Sequence, residues 1–274
     1  MNWALHHVAL SAQDIARARW FFGELIGLTN APAAGVEDET NASFGGGGRG
    51  LQLTKPRRAV GSSGGQIVHP ATGRHLAITV EDLNVVAANL DKASISYVEC
   101  PGGGQAITTF DPSLNLIEFH QAERQEDTDP SHPWEQDWGW GVHHVNLQVA
   151  DVREGIAFFS EMAGMAEGPW HVPETMGDVN IDPAQLALLP LGDDNRGLHL
   201  NRPDATFALR NGFAHNPTIG GHPAFWVSDV KAVMQRFDEA GVLFTDAGVY
   251  AMPHMHQIYV LDLTANFIEV NQYV

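Results

Sequence analysis

The sequence of 274 residues predicts an α+β fold of two tandem modules, each a cupped mixed sheet with helices outside. Three observations predict it. The chain repeats itself, each repeat alternates strand and helix signals, and the two halves close on the same turn and final strand.

The opening strand of the first half, Leu5-His6-His7-Val8-Ala9-Leu10, leads through Asp14, Phe21-Phe22 and Glu24 to Gly27. Val142-His143-His144-Val145-Asn146-Leu147 leads through Asp151, Phe158-Phe159 and Glu161 to Gly164, with each residue 137 positions after its counterpart. Both copies read as a strand, an Asp that starts a helix, and an amphipathic helix ended by Gly. A second pair begins at His75-Leu76-Ala77-Ile78-Thr79-Val80 and at His222-Pro223-Ala224-Phe225-Trp226-Val227. These lead into helices expected over Val85 to Ala93 and Val230 to Ala240. Each half therefore holds the strand–helix–strands unit twice, four units in all.

Between the helices lie Gly-rich loops and short strands, Ser43 to Lys55 and Gly61 to Gln66, with Gly102-Gly103-Gly104 before the last strands of the first half. The Gly runs at 45–48 and 102–104 lack a strand–GxGxxG–helix setting, so they read as turn glycines and not as a nucleotide site. Gln257 to Leu261 and Phe267 to Val270 read as a strand pair around the turn Asp262-Leu263-Thr264-Ala265-Asn266, whose Asx side chains cap their own backbone. Phe110-Asp111-Pro112-Ser113-Leu114-Asn115-Leu116-Ile117-Glu118 repeats the Asp, the Asn four residues on, and the Ile-Glu. The acidic, Pro-containing stretch from Gln121 to Gly139 is aperiodic. The division is therefore residues 1–122, a linker at 123–140 pinned by Trp134 and Trp138, and residues 141–274.

Fifteen Lys and Arg against 33 Asp and Glu leave a net charge of −18. A chain so acidic is repelled by nucleic acid and by anionic membrane. No apolar run reaches membrane-spanning length and no basic n-region precedes an apolar one, so a cytoplasmic protein is expected. The one cysteine, Cys100, excludes an internal disulfide and a Cys-based metal site.

Fourteen histidines are unusual, and their placement carries the chemistry. Each half has a His in its first strand, a His opening the strand after its midpoint, and a Glu in its last strand. These are His7, His75 and Glu118, then His144, His222 and Glu269. A carboxylate between Ile and Val on a strand is costly to bury without a partner. Two His and one carboxylate on three strands of a cupped sheet can hold a divalent ion facially and leave positions open.

The βαβββ repeats, the HHV-x-L…D…FF opening and the I-Y-x-x-D…N-x-I-E ending resemble the vicinal oxygen chelate superfamily, which contains glyoxalases, bleomycin resistance proteins and dioxygenases. The two-module layout is most similar to type I extradiol ring-cleaving dioxygenases. The resemblance implies a metal site on His144, His222 and Glu269 and a catalytic Tyr at Tyr259. It implies an acid–base His at His199 (His215 being the weaker match). A hydrogen-bonding His falls on His254 or His256, of which His254 is the choice. A related hydroquinone-type arrangement would put His7 in place of His144. The family turn Pro-x-Gly is replaced here by Leu263-Thr264-Ala265, and Thr108 stands in the first half where Tyr259 stands in the second. The first-half set His7, His75 and Glu118 reads as a fossil site or a structural cluster, and Trp170, His171 and Phe225 read as core or lining.

The activity implied is extradiol cleavage of a catechol-like ring by O2 with Fe(II), or with Mn(II) or Zn(II). The partners are then a small aromatic diol and O2, in a homo-oligomer. The alternatives are a glyoxalase-type metal-dependent isomerase or lyase, which calls for four protein ligands, and a metal-free binding protein of the same fold.

Overall fold

A computed structural model describes residues 1–29, 39–55, 74–100, 105–128, 138–174 and 181–274. The Gly61 to Gln66 segment, Gly102-Gly103-Gly104, Trp134 and the linker's central part fall outside the described residues.

The first module opens with β1 (Trp3–Ser11) and α1 (Ile15–Arg19), which winds on as a π-helical stretch, Trp20–Ile26. The sequence anticipated a single amphipathic helix here. Phe21, Phe22, Leu25 and Ile26 all lie in the core, as Phe158, Phe159, Met162 and Ala163 do in the regular helix of the second half, and Gly27 ends the stretch at φ 93°. Strands β2 (Asn41–Gly46) and β3 (Arg49–Thr54) follow, then β4 (His75–Val80), α2 (Leu83–Ala93), β5 (Tyr97–Glu99), β6 (Ala106–Phe110) and β7 (Leu116–Gln121).

The second module repeats the order with β8 (Trp140–Gln148), α3 (Val152–Ala163), β9 (Leu186–Pro190), β10 (Gly197–Asn201) and a short α4 (Phe207–Asn211). Then come β11 (His222–Val227), α5 (Val230–Ala240), β12 (Phe244–Val249), β13 (Met255–Leu261) and β14 (Phe267–Tyr273). Four helices start at an Asp, and each time its carboxylate accepts a backbone N–H of the first turn: Asp14, Asp82, Asp151 and Asp229.

The two modules have the same mixed sheet. Its strand order is β2-β3-β1-β4-β7-β6-β5 in one and β9-β10-β8-β11-β14-β13-β12 in the other. Residues alternate across each sheet. Val8, Leu51, Leu76 and Ile117 join the apolar core on one face together with Phe21, Phe22, Val86 and Leu90 of the helices. Val145, Leu198, Phe225, Ile258 and Ile268 do the same in the second module. The opposite face takes the residues in between, among them His7, His75 and Glu118 in one sheet and His144, His222 and Glu269 in the other.

The helical layers of the two modules pack on each other, so the molecule has one core. The π-helical stretch packs on α5 and α2 packs on α3. Phe21 and Phe237 stack across this boundary with centroids 5.8 Å apart, and Arg236 Nε donates to the Leu25 carbonyl at 2.7 Å. The Asx turns also bridge the modules. Asp262 Oδ1 accepts Thr264 N–H at 2.8 Å and Asn266 N–H at 2.7 Å, while Asn266 Nδ2 donates to the Ser11 carbonyl of the first module at 2.9 Å. Asp111 accepts Ser113 and Asn115 N–H in the same way, and Asn115 Nδ2 donates to the Gln148 carbonyl at 3.1 Å.

Before β8, Trp138 packs against the core and its carbonyl accepts the Thr29 hydroxyl at 2.7 Å. No helix among the described residues is long and apolar enough to cross a membrane.

Candidate metal centre

Three strands of the second sheet bring His144 (β8), His222 (β11) and Glu269 (β14) together. β11 runs antiparallel to β8 and parallel to β14, and its register sets Ala224 beside both His144 and Glu269. The ligand atoms of His144, His222 and Glu269 all lie within 4.8 Å of one another, in full burial. Glu269 Oε2 is 3.3 Å from His144 Nε2 and 3.4 Å from His222 Nε2. His7 does not take part. It lies in the first sheet beside His75, so His144 is the histidine that joins His222 and Glu269.

The carboxylate is divided in its duties. Oε1 accepts Gln257 Nε2 at 3.2 Å and Asn271 Nδ2 at 3.1 Å, which leaves Oε2 to face the two imidazoles. Burial alone would raise the Glu269 pKa, but His144 and His222 beside it hold it well below the usual carboxylate range. Burial holds His222 below its ordinary value, with Glu269 opposing, and His222 Nδ1 has no hydrogen-bond partner. Two imidazole nitrogens and one carboxylate oxygen converge, with the Tyr259 hydroxyl hydrogen-bonded to the same carboxylate. A buried anion so placed calls for a cation, and the donor set is that of a divalent metal with positions left open.

The first histidine of the pair fixes the second. The β8–β11 register slips between Ala224 and Phe225, with His143 as the extra residue. This bulge places two consecutive imidazoles edge to face, where a regular strand would send them to opposite faces. His143 Nδ1 and His144 Nδ1 lie 2.9 Å apart, a hydrogen bond that leaves Nε2 of His144 for the centre. Burial and then His144 lower His143 to about 3, and with His144 Nε2 turned to the centre its Nδ1–H is the donor and His143 Nδ1 the acceptor. Behind it, Asp194 Oδ2 stands 3.8 Å from His143 Nε2 and accepts the Tyr273 hydroxyl.

Tyr259 and His199 border the same centre. Tyr259 is the direct cross-strand partner of Glu269 and its Oη accepts Gln257 Nε2 at 3.0 Å. Burial, Glu269 and Tyr250 push its pKa well above the ordinary value, so its hydroxyl keeps its proton and remains a donor.

His199 stacks on His144 with centroids 3.9 Å apart, and its Nε2 donates to the Asn195 carbonyl at 2.6 Å. That bond leaves Nδ1 as its acceptor nitrogen. Burial and His144 hold His199 well below its ordinary pKa. Gly197, two residues earlier and directly beside His144, permits this arrangement. Its φ is 130°, and a Cβ there would come within 2.2 Å of the Leu189 carbonyl oxygen.

These side chains line a cavity of about 100 Å³ walled by Trp170, Phe207, Tyr250 and Met252. Trp170, read from sequence as lining, sets its ring edge-on to His199 at 4.6 Å. The sequence expectation for His254 is corrected. It is exposed, sits in a turn at φ 59°, and is not among the cavity residues. His256 is turned to Asp246 at 2.8 Å, and His215 holds Thr245. Sequence reasoning passed over Gln257, Asn271 and His143. For the first two the signal was parity: Gln257 is two residues before Tyr259 and Asn271 two after Glu269, each on the same strand face as its neighbour, whereas His143 joins His144 only through the bulge.

Residues 4–119 match the model of the Glyoxalase/Bleomycin resistance protein/Dioxygenase superfamily. No curated protein matches the chain. Among solved structures, 2,2',3-trihydroxybiphenyl 1,2-dioxygenase from dibenzofuran-degrading Sphingomonas wittichii strain RW1 is similar at TM-score 0.63 and 14% identity. The match covers 99% of this chain and 91% of that one. The 2,3-dioxygenase LapB from Pseudomonas sp. KL28 gives 0.62 and 14%, over 98% and 91%. The Mn(II)-bound glyoxalase from Novosphingobium aromaticivorans gives 0.61 and 16%, over 98% and 81%. At these identities the likeness is one of fold, and it spans both modules.

Proposed function

We propose that this chain, whose first module carries the signature of the glyoxalase and dioxygenase superfamily, is an extradiol dioxygenase. It cleaves a catechol-like ring with O2 at the centre held by His144, His222 and Glu269. The observation that carries the reading is the convergence of these three side chains, with Tyr259 and His199 against them, on one cavity. The likeness to two-module dioxygenases supports it, as does a set of three ligands where a glyoxalase-type centre calls for four.

A divalent ion bound there, Fe(II) in this proposal, would polarise the diol oxygens, lower the pKa of the first hydroxyl and offer a position for O2. The side chains do the rest. Gln257 and Asn271 fix the carboxylate so that only Oε2 faces the ion. His199 accepts the hydroxyl proton at Nδ1 and later returns it. The Tyr259 hydroxyl donates a hydrogen bond to the substrate oxygen on which negative charge gathers. Trp170, Phe207 and Met252 exclude water and give the ring an apolar wall. An uncharged diol suits a chain whose net charge of −18 repels anions.

The test is O2 uptake by anaerobically reconstituted Fe(II) protein over a panel of small catechols. Diol-dependent uptake with a yellow product, lost in Glu269→Ala together with the ion at this centre, is expected. Bound metal with no uptake across the panel, but isomerisation of a hemithioacetal, would replace this reading with the glyoxalase-type one.

A further inference from the structure

The first module repeats the donor set on the same three strand positions. His7 lies on β1, His75 on β4 and Glu118 on β7, and their ligand atoms again fall within 4.8 Å of one another, all buried. His7 Nε2 is 3.0 Å from His75 Nε2, and His75 Nε2 is 3.9 Å from Glu118 Oε2. Two nitrogens that each sit about 2.1 Å from one ion lie roughly 3.0 Å apart at a right angle and about 3.4 Å apart at the tetrahedral angle. The spacing of His7 and His75, which a hydrogen bond between the two rings also gives, therefore fits two ligands of one ion.

The orienting partners are repeated too. The β1–β4 register slips between Leu5 and His7, and His6 Nδ1 meets His7 Nδ1 at 2.8 Å, as His143 meets His144. Glu118 Oε1 is engaged by His120 Nε2 from the position that Asn271 holds in the other module. Glu118 is buried between His75 and His120, with Cys100 Sγ 3.5 Å from Oε2.

What differs is the reacting shell. Thr108, with no acid–base chemistry, faces Glu118 across the strand pair where Tyr259 faces Glu269. Gln52 stands two residues after Gly50, the partner of His7, where His199 stands two after Gly197. Gln52 Nε2 donates to the Gly48 carbonyl at 3.2 Å, just as His199 donates to Asn195.

From this juxtaposition we infer that the first module is a second metal centre, in which His7, His75 and Glu118 bind a divalent transition-metal ion that does no turnover. His120, bonded to Glu118 Oε1, orients the carboxylate and is not one of the three ligands. This holds whether or not the second module cleaves diols.

The experiment strips the full chain with chelator, saturates it anaerobically with Co(II) or Zn(II), and counts ions per chain after desalting. Two ions are expected for the unaltered chain, one for His75→Ala, one for Glu269→Ala and none for the double variant. Thermal melts check folding, and His75→Gln repeats the count with less lost volume. One ion retained by Glu269→Ala and lost in His75→Ala upholds this centre even if the unaltered chain also holds only one, and the second-module centre then fails. Saturation at one ion that Glu269→Ala abolishes overturns the inference, as does a count of two in His75→Ala, or no ion in any form.

Discussion

At the scale of single residues, the centre separates holding an ion from doing chemistry. Glu269 and its two histidines hold, whereas Tyr259 and His199 touch the cavity without being among the three ligands. Tyr259→Phe removes one donor and leaves the carboxylate's own bonds to Gln257 and Asn271 in place. Turnover should fall about 10²-fold, the loss typical of one oxyanion donor, with metal content unchanged. His199→Ala should lower kcat by about 10²- to 10⁴-fold, the worth of a positioned general base. Steady-state kinetics beside metal analysis reads both. Metal lost from Tyr259→Phe, or full turnover in His199→Ala, would remove these residues from their roles. Glu269 and Tyr259 were legible because their ten-residue spacing survives in one strand pair. His254 misled because a His-rich segment offered near matches, and only the turn at φ 59° shows that it leaves the strand face.

At the scale of elements, the Asx turns do more than reverse the chain. Asp262 satisfies two backbone N–H groups and the Asn266 amide, and Asn266 then reaches the other module. Asp262→Ala removes the acceptor of the buried Asn266 N–H and the half-buried Thr264 N–H, while Asn266 Nδ2 keeps the Ser11 carbonyl, and should cost about 2–4 kcal/mol, at about 1–3 kcal/mol for each donor not rescued by water. Asp151→Ala removes a helix cap that accepts Arg153 and Glu154 N–H at 2.8 and 3.0 Å, and should cost about 1 kcal/mol. Denaturant unfolding of the two variants gives the comparison, and equal losses would mean the turn is only a local cap. The turn and the cap were readable from Asp and Asn spacing. The cross-module reach of Asn266 was not, because nothing local specifies which carbonyl lies opposite.

At the scale of the molecule, many histidines are folded in as neutral groups. Burial, followed by His120, takes His6 to about 3, and burial, followed by His144, takes His143 to about 3, against an ordinary 6.5. Burial and neighbouring imidazoles likewise hold His7 and His199 well below it. Between about 3 and 6.5 the unfolded chain binds protons that the folded chain refuses, so stability rises with pH across this window and is complete above it. Metal-free protein should therefore melt at a steady temperature above neutrality and at falling temperatures as pH drops below about 6.5. A melting temperature unchanged from neutrality to pH about 5 would mean these histidines are charged or exposed. Since the helical layers share one core, a single unfolding transition should accompany this behaviour.

The sequence by itself determined the duplication, the strand-then-helix opening of each unit, the Asp caps and the two His–His–Glu sets. Each of these is a matter of spacing, and spacing along a strand or helix converts directly into a face. Tertiary structure decided which histidines meet. The bulges at His6 and His143 reverse the alternation that a regular strand would impose, and strand register pairs His144, not His7, with His222 and Glu269. It also decided that Gln257 and Asn271 steady the carboxylate and that Trp170 backs His199. Such contacts join residues far apart in the chain, and their geometry exists only once the sheets have closed around the site.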